Sequence, residues 1–414
     1  AVTNPSRKRE RTKGMNKYGR VAALLAAATV WAASVAAAGE SSKLVSTFDD
    51  IHYWIGEGTN RIAVIFDFHD GSKPQTSFAW GYRWNGTATN MTEIVGQISA
   101  LDPRLHAFIS TSTYGSFVDA FGYDLDDDGG TFERVYNSEI QATESVASDK
   151  DDIFPSPASY FESNMDGEGH PGYMGTSWLQ LWGTGESLAD VGWAMTPNGI
   201  DGTFPTNGQW VCWRFGDYST TYGDMETWEV IDEGYWFEPI NDTYAAIPGA
   251  ARRAVLPAVG DVYYASLKAA FDAARGGREI ALPAAATVDG ASRTITVGET
   301  SSGDSQSYQW PEWYDLVQNG SSVSLTLNAV ATPTFTADPA SAMKPFSVDG
   351  DKVTVVPGNV IDGLYYGLLS ATDLAKGFSE PKTWVRAENG SVVLEAVKTG
   401  GAGFYKVKVS DIAR

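Results

Sequence analysis

The chain has 414 residues, with 30 Lys and Arg against 51 Asp and Glu and a formal net charge of −21. Such a surface repels phosphate backbones and anionic lipid, which argues against nucleic-acid and membrane-surface partners. The single cysteine, Cys212, excludes an internal disulfide, and within the run WVCWRF it reads as a small buried hydrophobe rather than a reactive thiol.

In chain order, residues 1–14 (AVTNPSRKRERTKG) are dense in Lys and Arg and read as upstream sequence rather than a domain. From Met15 a short basic start leads into an apolar stretch over Val21–Ala33, with small residues at Ala36 and Ala38. This is the pattern of a secretory signal peptide over 15–38, so the expected location is secreted, extracellular or at the cell surface. Residues 1–38 hold seven of the basic side chains and one of the acidic ones, so the chain from Gly39 onward carries a net −27. No later apolar span of about twenty residues follows, and no membrane-crossing helix is expected.

The region 39–245 reads as an aromatic-rich β domain. Of the 14 tryptophans, only Trp310, Trp313 and Trp384 lie beyond it. Arg61–Phe68 and Phe78–Trp84 are β-branched or aromatic runs either side of a turn-rich segment, and they read as paired strands. Alternation puts Phe78, Trp80, Tyr82 and Trp84 on one face, as a core ladder or a ligand platform. Trp84, at the strand end beside Asn85 and Gly86, is the member expected to meet a ligand. Asn90 and Glu93 have capping-box-like spacing, and Met91, Ile94, Val95, Ile98 and Leu101 recur at helical intervals until Asp102-Pro103 ends the pattern. Segments starting at Tyr173, Leu188, Gly208 and Met225 continue a rhythm of short aromatic strands.

The sharpest local chemistry is DLDDDGG. Asp124, Asp126 and Asp128 stand at alternate positions with Gly129 next, like the first half of a calcium loop. The twelfth loop position is Val135 rather than Glu, so the EF-hand pattern is incomplete, and Glu133 is the residue expected to close the shell. Calcium is the expected cofactor, in a structural role. His52, His69, His106 and His170 lack the spacing of a zinc site. Two polar clusters, Asp67/His69/Asp70 and Asp166/Glu168/His170, are catalytic candidates that a polar turn explains equally well. Glu226, Glu229 and Glu233 lie among aromatics, but separation in space, not along the chain, defines a glycosidase pair.

Asn241–Gly260, small and twice interrupted by Pro, reads as a connector, with the linker proper at 246–260. The region 261–300 reads as a β-α-β unit, its helix presenting Leu267, Ala270, Phe271 and Ala274 before a Gly276-Gly277 stop. Alternating runs from residue 301 to 414 indicate a small all-β module. The expected fold is therefore mainly β: a β-sandwich or jelly-roll-like N-terminal domain with one or two helices, followed by the two smaller units.

The segments IHYWIGEGTNRIAVIFDF, WGYRWNG, LDPRL and GYDLDDDG resemble a domain of uncharacterised secreted bacterial proteins. The tail, with GLYYGLLSATDLAKGF and GAGFYKVKV, is similar to terminal modules of exported proteins of Verrucomicrobiota-type bacteria. These resemblances imply export and are silent on activity. With no nucleophile or metal-catalysis motif in the chain, the leading expectation is a non-catalytic binding protein. Its aromatics, Trp84 first, would stack on a glycan or a corrinoid-like ring. An extracellular carbohydrate hydrolase using paired carboxylates and a structural surface protein are the alternatives.

Overall fold

The computed structural model describes residues 43–69, 75–113, 115–138, 142–155, 159–162, 172–217, 220–221, 240, 242–298, 306–331, 346–372, 374–376, 378–397 and 404–412. The leader at 15–38 and the strand expected from Met225 lie outside these residues.

Strands β1 (Tyr53–Gly56), β2 (Asn60–Asp67) and β3 (Ser77–Trp84) form the middle of a mixed sheet. β2 and β3 are the expected antiparallel pair, with Val64 opposite Trp80 and Phe66 opposite Phe78. β1 runs parallel to β3. Helix α1 (Met91–Leu101) has the bounds its periodicity predicts. The Glu93 amide donates to Asn90 Oδ1 at 3.0 Å, satisfying one of the donors a helix start leaves open. Pro103 forbids continuation at the other end.

Two hairpins follow, β4 (Leu105–Ser112) with β5 (Gly115–Tyr123) and β6 (Phe132–Asn137) with β7 (Ala142–Ala147). Strands β8 (Ser159–Glu162), β9 (Gly172–Thr184), β10 (Ala194–Met195), β11 (Gln209–Asp217) and β12 (Thr220–Thr221) build one side of the sheet. Within it β11 lies between β9, antiparallel, and β2, parallel.

The stretch read as a linker has elements of its own. β13 (Tyr244–Ala245) pairs with β3 just before it, helix α2 (Ala250–Arg253) lies inside it, and β14 (Ala258–Val259) pairs with β15 (Val262–Tyr264). β15 in turn runs parallel to β1. Arg252 and Leu256 are buried, so here small residues and prolines accompany close packing rather than a free tether. The expected strand, helix and strand of the next unit are present as β15, α3 (Leu267–Ala273) and β16 (Glu279–Ala281).

Strands β17 (Ala286–Asp289), β18 (Thr294–Val297) and β19 (Gln306–Gln309) make a separate antiparallel sheet. β20 (Tyr314–Asn319) and β21 (Ser322–Leu327) return to the large sheet through β16. Its order is β10-β9-β11-β2-β3-β1-β15-β14-β16-β21-β20, so hydrogen bonding continues across the compositional break near residue 245. The last strands, β22 (Phe346–Asp349), β23 (Lys352–Val355), β24 (Tyr365–Ala371), β25 (Trp384–Arg386), β26 (Leu394–Val397) and β27 (Phe404–Ser410), form two three-stranded sheets, β22-β23-β26 and β25-β24-β27.

The fold is mainly β with few helices, as the strand rhythm predicts. Both faces of the large sheet are covered. Ile62, Val64 and Phe66 of β2, with the whole β3 aromatic row, pack under α1 and the β4–β5 hairpin. Ala63, Ile65, Trp210 and Cys212 face the other way, into a core shared with α3 and β18. On that side the Trp54 ring lies over Gly81, where a Cβ would collide with it, and under the Arg83 guanidinium at 4.3 Å. A third core, around Val353, Tyr366, Leu394 and Val407, serves the C-terminal sheets. Among the described residues no helix is long and apolar enough to cross a membrane.

Candidate functional site

The aromatic row of β3 is a core ladder. Phe78, Trp80, Tyr82 and Trp84 are all buried. Trp84, the expected ligand platform, is 8% exposed and stacks on Tyr82 with ring centroids 6.3 Å apart. The reading of Trp84 as a ligand-binding residue is therefore corrected: the strand end lies under the body of the protein, and no ring face is left for a ligand. No described tryptophan is exposed; six are buried and five half-buried. Cys212 is fully buried, and burial pushes its thiol well above the usual range, as expected of a core hydrophobe.

At the ends of β2 and β11, Asp67 and Arg214 are both buried, with Arg214 Nε 3.4 Å from Asp67 Oδ2. The His69 amide donates to Asp67 Oδ1 at 3.2 Å, and His69 Nδ1 lies 3.1 Å from an Arg214 guanidinium nitrogen. Burial raises the Asp67 pKa, with Arg214 and His69 pulling it back. His69 has φ 50°, in the left-handed region. The cluster is an ion pair capped by a histidine. Asp70, Asp166, Glu168, His170, Glu226, Glu229 and Glu233 lie outside the described residues.

A second buried ion pair stands beside the β5 exit. Asp102 accepts from Arg104 Nε at 3.0 Å, from the second Arg104 nitrogen at 3.0 Å and from the Trp80 indole at 3.1 Å. The Arg104 carbonyl accepts from the Asp124 amide at 2.9 Å, which fixes the start of the aspartate loop.

That loop gathers the three predicted carboxylates. One oxygen each from Asp124, Asp126 and Asp128 falls within 4.8 Å of the others, with Asp124 buried and the other two exposed. Asp124 also shapes the turn: its Oδ1 accepts from the Asp127 amide at 2.7 Å and its Oδ2 from the Gly129 amide at 2.9 Å. Asp127 and Gly129 adopt φ of 60° and 92°, which bend the chain back on itself. Asp127 Oδ2 accepts from the Ala250 amide at 2.8 Å, tying the loop to α2. Desolvation, then Asp128 and Asp124, raise the Asp126 pKa.

Glu133, the residue expected to complete the shell, is not in this group. It sits exposed on β6 opposite Val146, because β6 is already extended at that point and carries it away from the turn. Another carboxylate faces the loop instead. Asp152 is 6% exposed, and neither of its oxygens meets a hydrogen-bond partner. A Cβ on residue 130 would collide with Asp152 Oδ2, so Gly130 is what lets the carboxylate approach. Burial first, then Asp124 among the neighbouring charges, push its pKa up to about 6, while the Leu125 amide faces it without reaching hydrogen-bond geometry and opposes the shift. Sequence reasoning missed Asp152 because its proximity comes from the antiparallel Tyr123–Ile153 bridge, which sets residues 124 and 152 side by side.

In the C-terminal part a cleft of about 1390 Å³ opens, lined by Leu368, Phe378, Val385 and Val393 and by Lys352 and Lys382. Comparison with protein-family models, with curated proteins and with solved structures finds no match to this chain.

Proposed function

We propose that this chain is an exported, non-catalytic β protein with a structural role at the cell surface, its folded state reinforced by calcium at Asp124, Asp126 and Asp128. The observation that carries this reading is the use of the aromatics. The residues that could have formed a ligand platform, Trp84 included, fill the two cores of the large sheet. The buried carboxylates Asp67 and Asp102 are each committed to an arginine, which leaves neither free for proton transfer. Loop aspartates at alternate positions supply the several hard oxygens that calcium requires, and extracellular calcium is abundant enough for a weak site to fill.

The test is thermal unfolding of the chain from Gly39 in chelator and in millimolar calcium, alongside a panel of soluble glycans. Calcium at about a hundredfold excess over its dissociation constant stabilises by about 2.7 kcal/mol. A calcium-dependent rise with no response to glycans supports the reading. Glycan hydrolysis, or no response to calcium, overturns it.

The C-terminal cleft favours a second reading, a ligand-binding protein, since its apolar walls and a rim of mixed charge, Lys352 and Lys382 beside Asp349 and Glu380, match a site for an amphipathic molecule. Under this reading Phe378→Ala abolishes a saturable response that Trp84→Phe leaves intact.

A further inference from the structure

We infer that Asp152 supplies the fourth carboxylate of a calcium site that clasps both legs of the β6–β7 hairpin. This rests on the calcium reading above and changes what the site does: the metal closes a structural arm onto the body of the protein rather than decorating one turn.

Three observations point to Asp152. Its side chain is buried with both oxygens unpartnered, a costly state for a carboxylate unless a cation compensates it. It faces the loop through the gap that Gly130 leaves, on the side of Asp124. Lys150, the basic side chain of the same leg, is turned to Asp151 Oδ2 at 2.8 Å. The acidic turn alone carries little, since exposed aspartates cluster often in a chain this acidic. A buried, orphaned carboxylate against that turn is a separate feature.

Topology gives the site its consequence. Residues 124–131 enter the β6–β7 hairpin and residues 148–153 leave it. The Tyr123–Ile153 bridge closes its root, and the Ser148 amide donates to the Thr131 carbonyl at 2.8 Å. Asp124, Asp126 and Asp128 belong to the entering leg and Asp152 to the leaving one. A cation shared between them joins the legs, and Asp127 joins the entering leg to α2. Asp152 stands outside the 4.8 Å group of the three loop residues, so a bound water would link it to the cation, as at one position of many calcium loops. Calcium suits this arrangement better than magnesium, because it accepts six to eight oxygens in a flexible shell.

The experiment is calorimetric titration of calcium into the native chain, Asp124→Asn, Asp152→Asn and Glu133→Gln, each checked for its fold by circular dichroism. Loss of binding in Asp124→Asn, affinity at least about tenfold weaker in Asp152→Asn and native affinity in Glu133→Gln are expected. Native affinity in Asp152→Asn beside loss in Asp124→Asn overturns the inference and leaves the calcium reading standing. No binding by the native chain overturns both. A readout that needs no variant is hydrogen exchange of the native chain. Calcium should slow exchange at 124–130 and at 148–153 together, and protection of the first segment alone overturns the role of Asp152.

Discussion

The middle of the large sheet mixes parallel and antiparallel pairs while the described C-terminal sheets pair antiparallel throughout, and the two regions hold strands built on different logic, β2 and β23. In β2 every residue from Ile62 to Asp67 is buried, because α1 covers one face and α3 with β18 the other. In β23 burial alternates, with Val353 and Val355 inward and Lys352 outward. A strand covered on both faces reads as a continuous apolar run, and a strand covered on one reads as a period of two. Tryptophan is concentrated in the same layer, where Trp80, Trp210 and Trp213 are buried, while the described C-terminal sheets carry Trp384, half-buried on β25. The concentration of tryptophan before residue 245 thus marks the thick part of one sheet, not a boundary in it.

The sharpest way to break this comparison is Trp80→Ala. Trp80 is fully buried, lies edge-on to Phe66 at 5.4 Å and donates its indole N–H to Asp102. The loss leaves a large cavity and removes one donor from a buried carboxylate, and about 3 to 5 kcal/mol of stability is expected to go with it in urea unfolding. Leu394→Ala in the third core is expected to cost about 2 to 4 kcal/mol, in a transition confined to residues 346–410. Tryptophan fluorescence, which reports mainly the large sheet, should keep its native midpoint; a shared midpoint would mean that the two regions unfold as one unit.

Asp152→Asn separates folding from metal binding within the hairpin root. In chelator at neutral pH the carboxylate, pushed up to about 6, is ionised and unpartnered. Removing its charge is expected to raise stability while shrinking the gain that calcium gives, both read as melting temperatures. The smallest effect concerns His52 at the junction of β1 and β15. It is buried, with Nε2 3.4 Å from Asp261 Oδ2 and 3.2 Å from Lys43 Nζ. Burial lowers its pKa, with Asp261 opposing, so the unfolded chain takes up the proton more readily. Its contribution is present above the unfolded pKa of about 6.5 and fades as pH falls through it. His52→Asn should flatten that part of the stability profile.

Local chemistry was legible in the sequence wherever neighbours along the chain decide it. The α1 bounds follow from Asn90, the apolar spacing and Pro103, and the β2–β3 pair follows from alternation and a turn. Three of the four acidic residues now placed at the hairpin root share one turn and were visible for that reason. Contacts made across the sheet were not legible. Asp152 is set beside Asp124 by the isolated Tyr123–Ile153 bridge at the hairpin root, and β14 pairs with β15 although its composition is that of a connector. Trp84 misled because a strand terminus reads as exposed, whereas Tyr82 and α1 roof it over.

An open sheet of this length must also keep its rims from recruiting other chains. Along its path the large sheet stops at β10, two exposed residues long, and at β20, where Asp315, Gln318 and Asn319 are exposed. One rim is too short to template a neighbouring strand, and the other sets its polar side chains around a single exposed apolar residue, Val317. A strand of another chain therefore finds little edge along this path from which to extend the aromatic sheet.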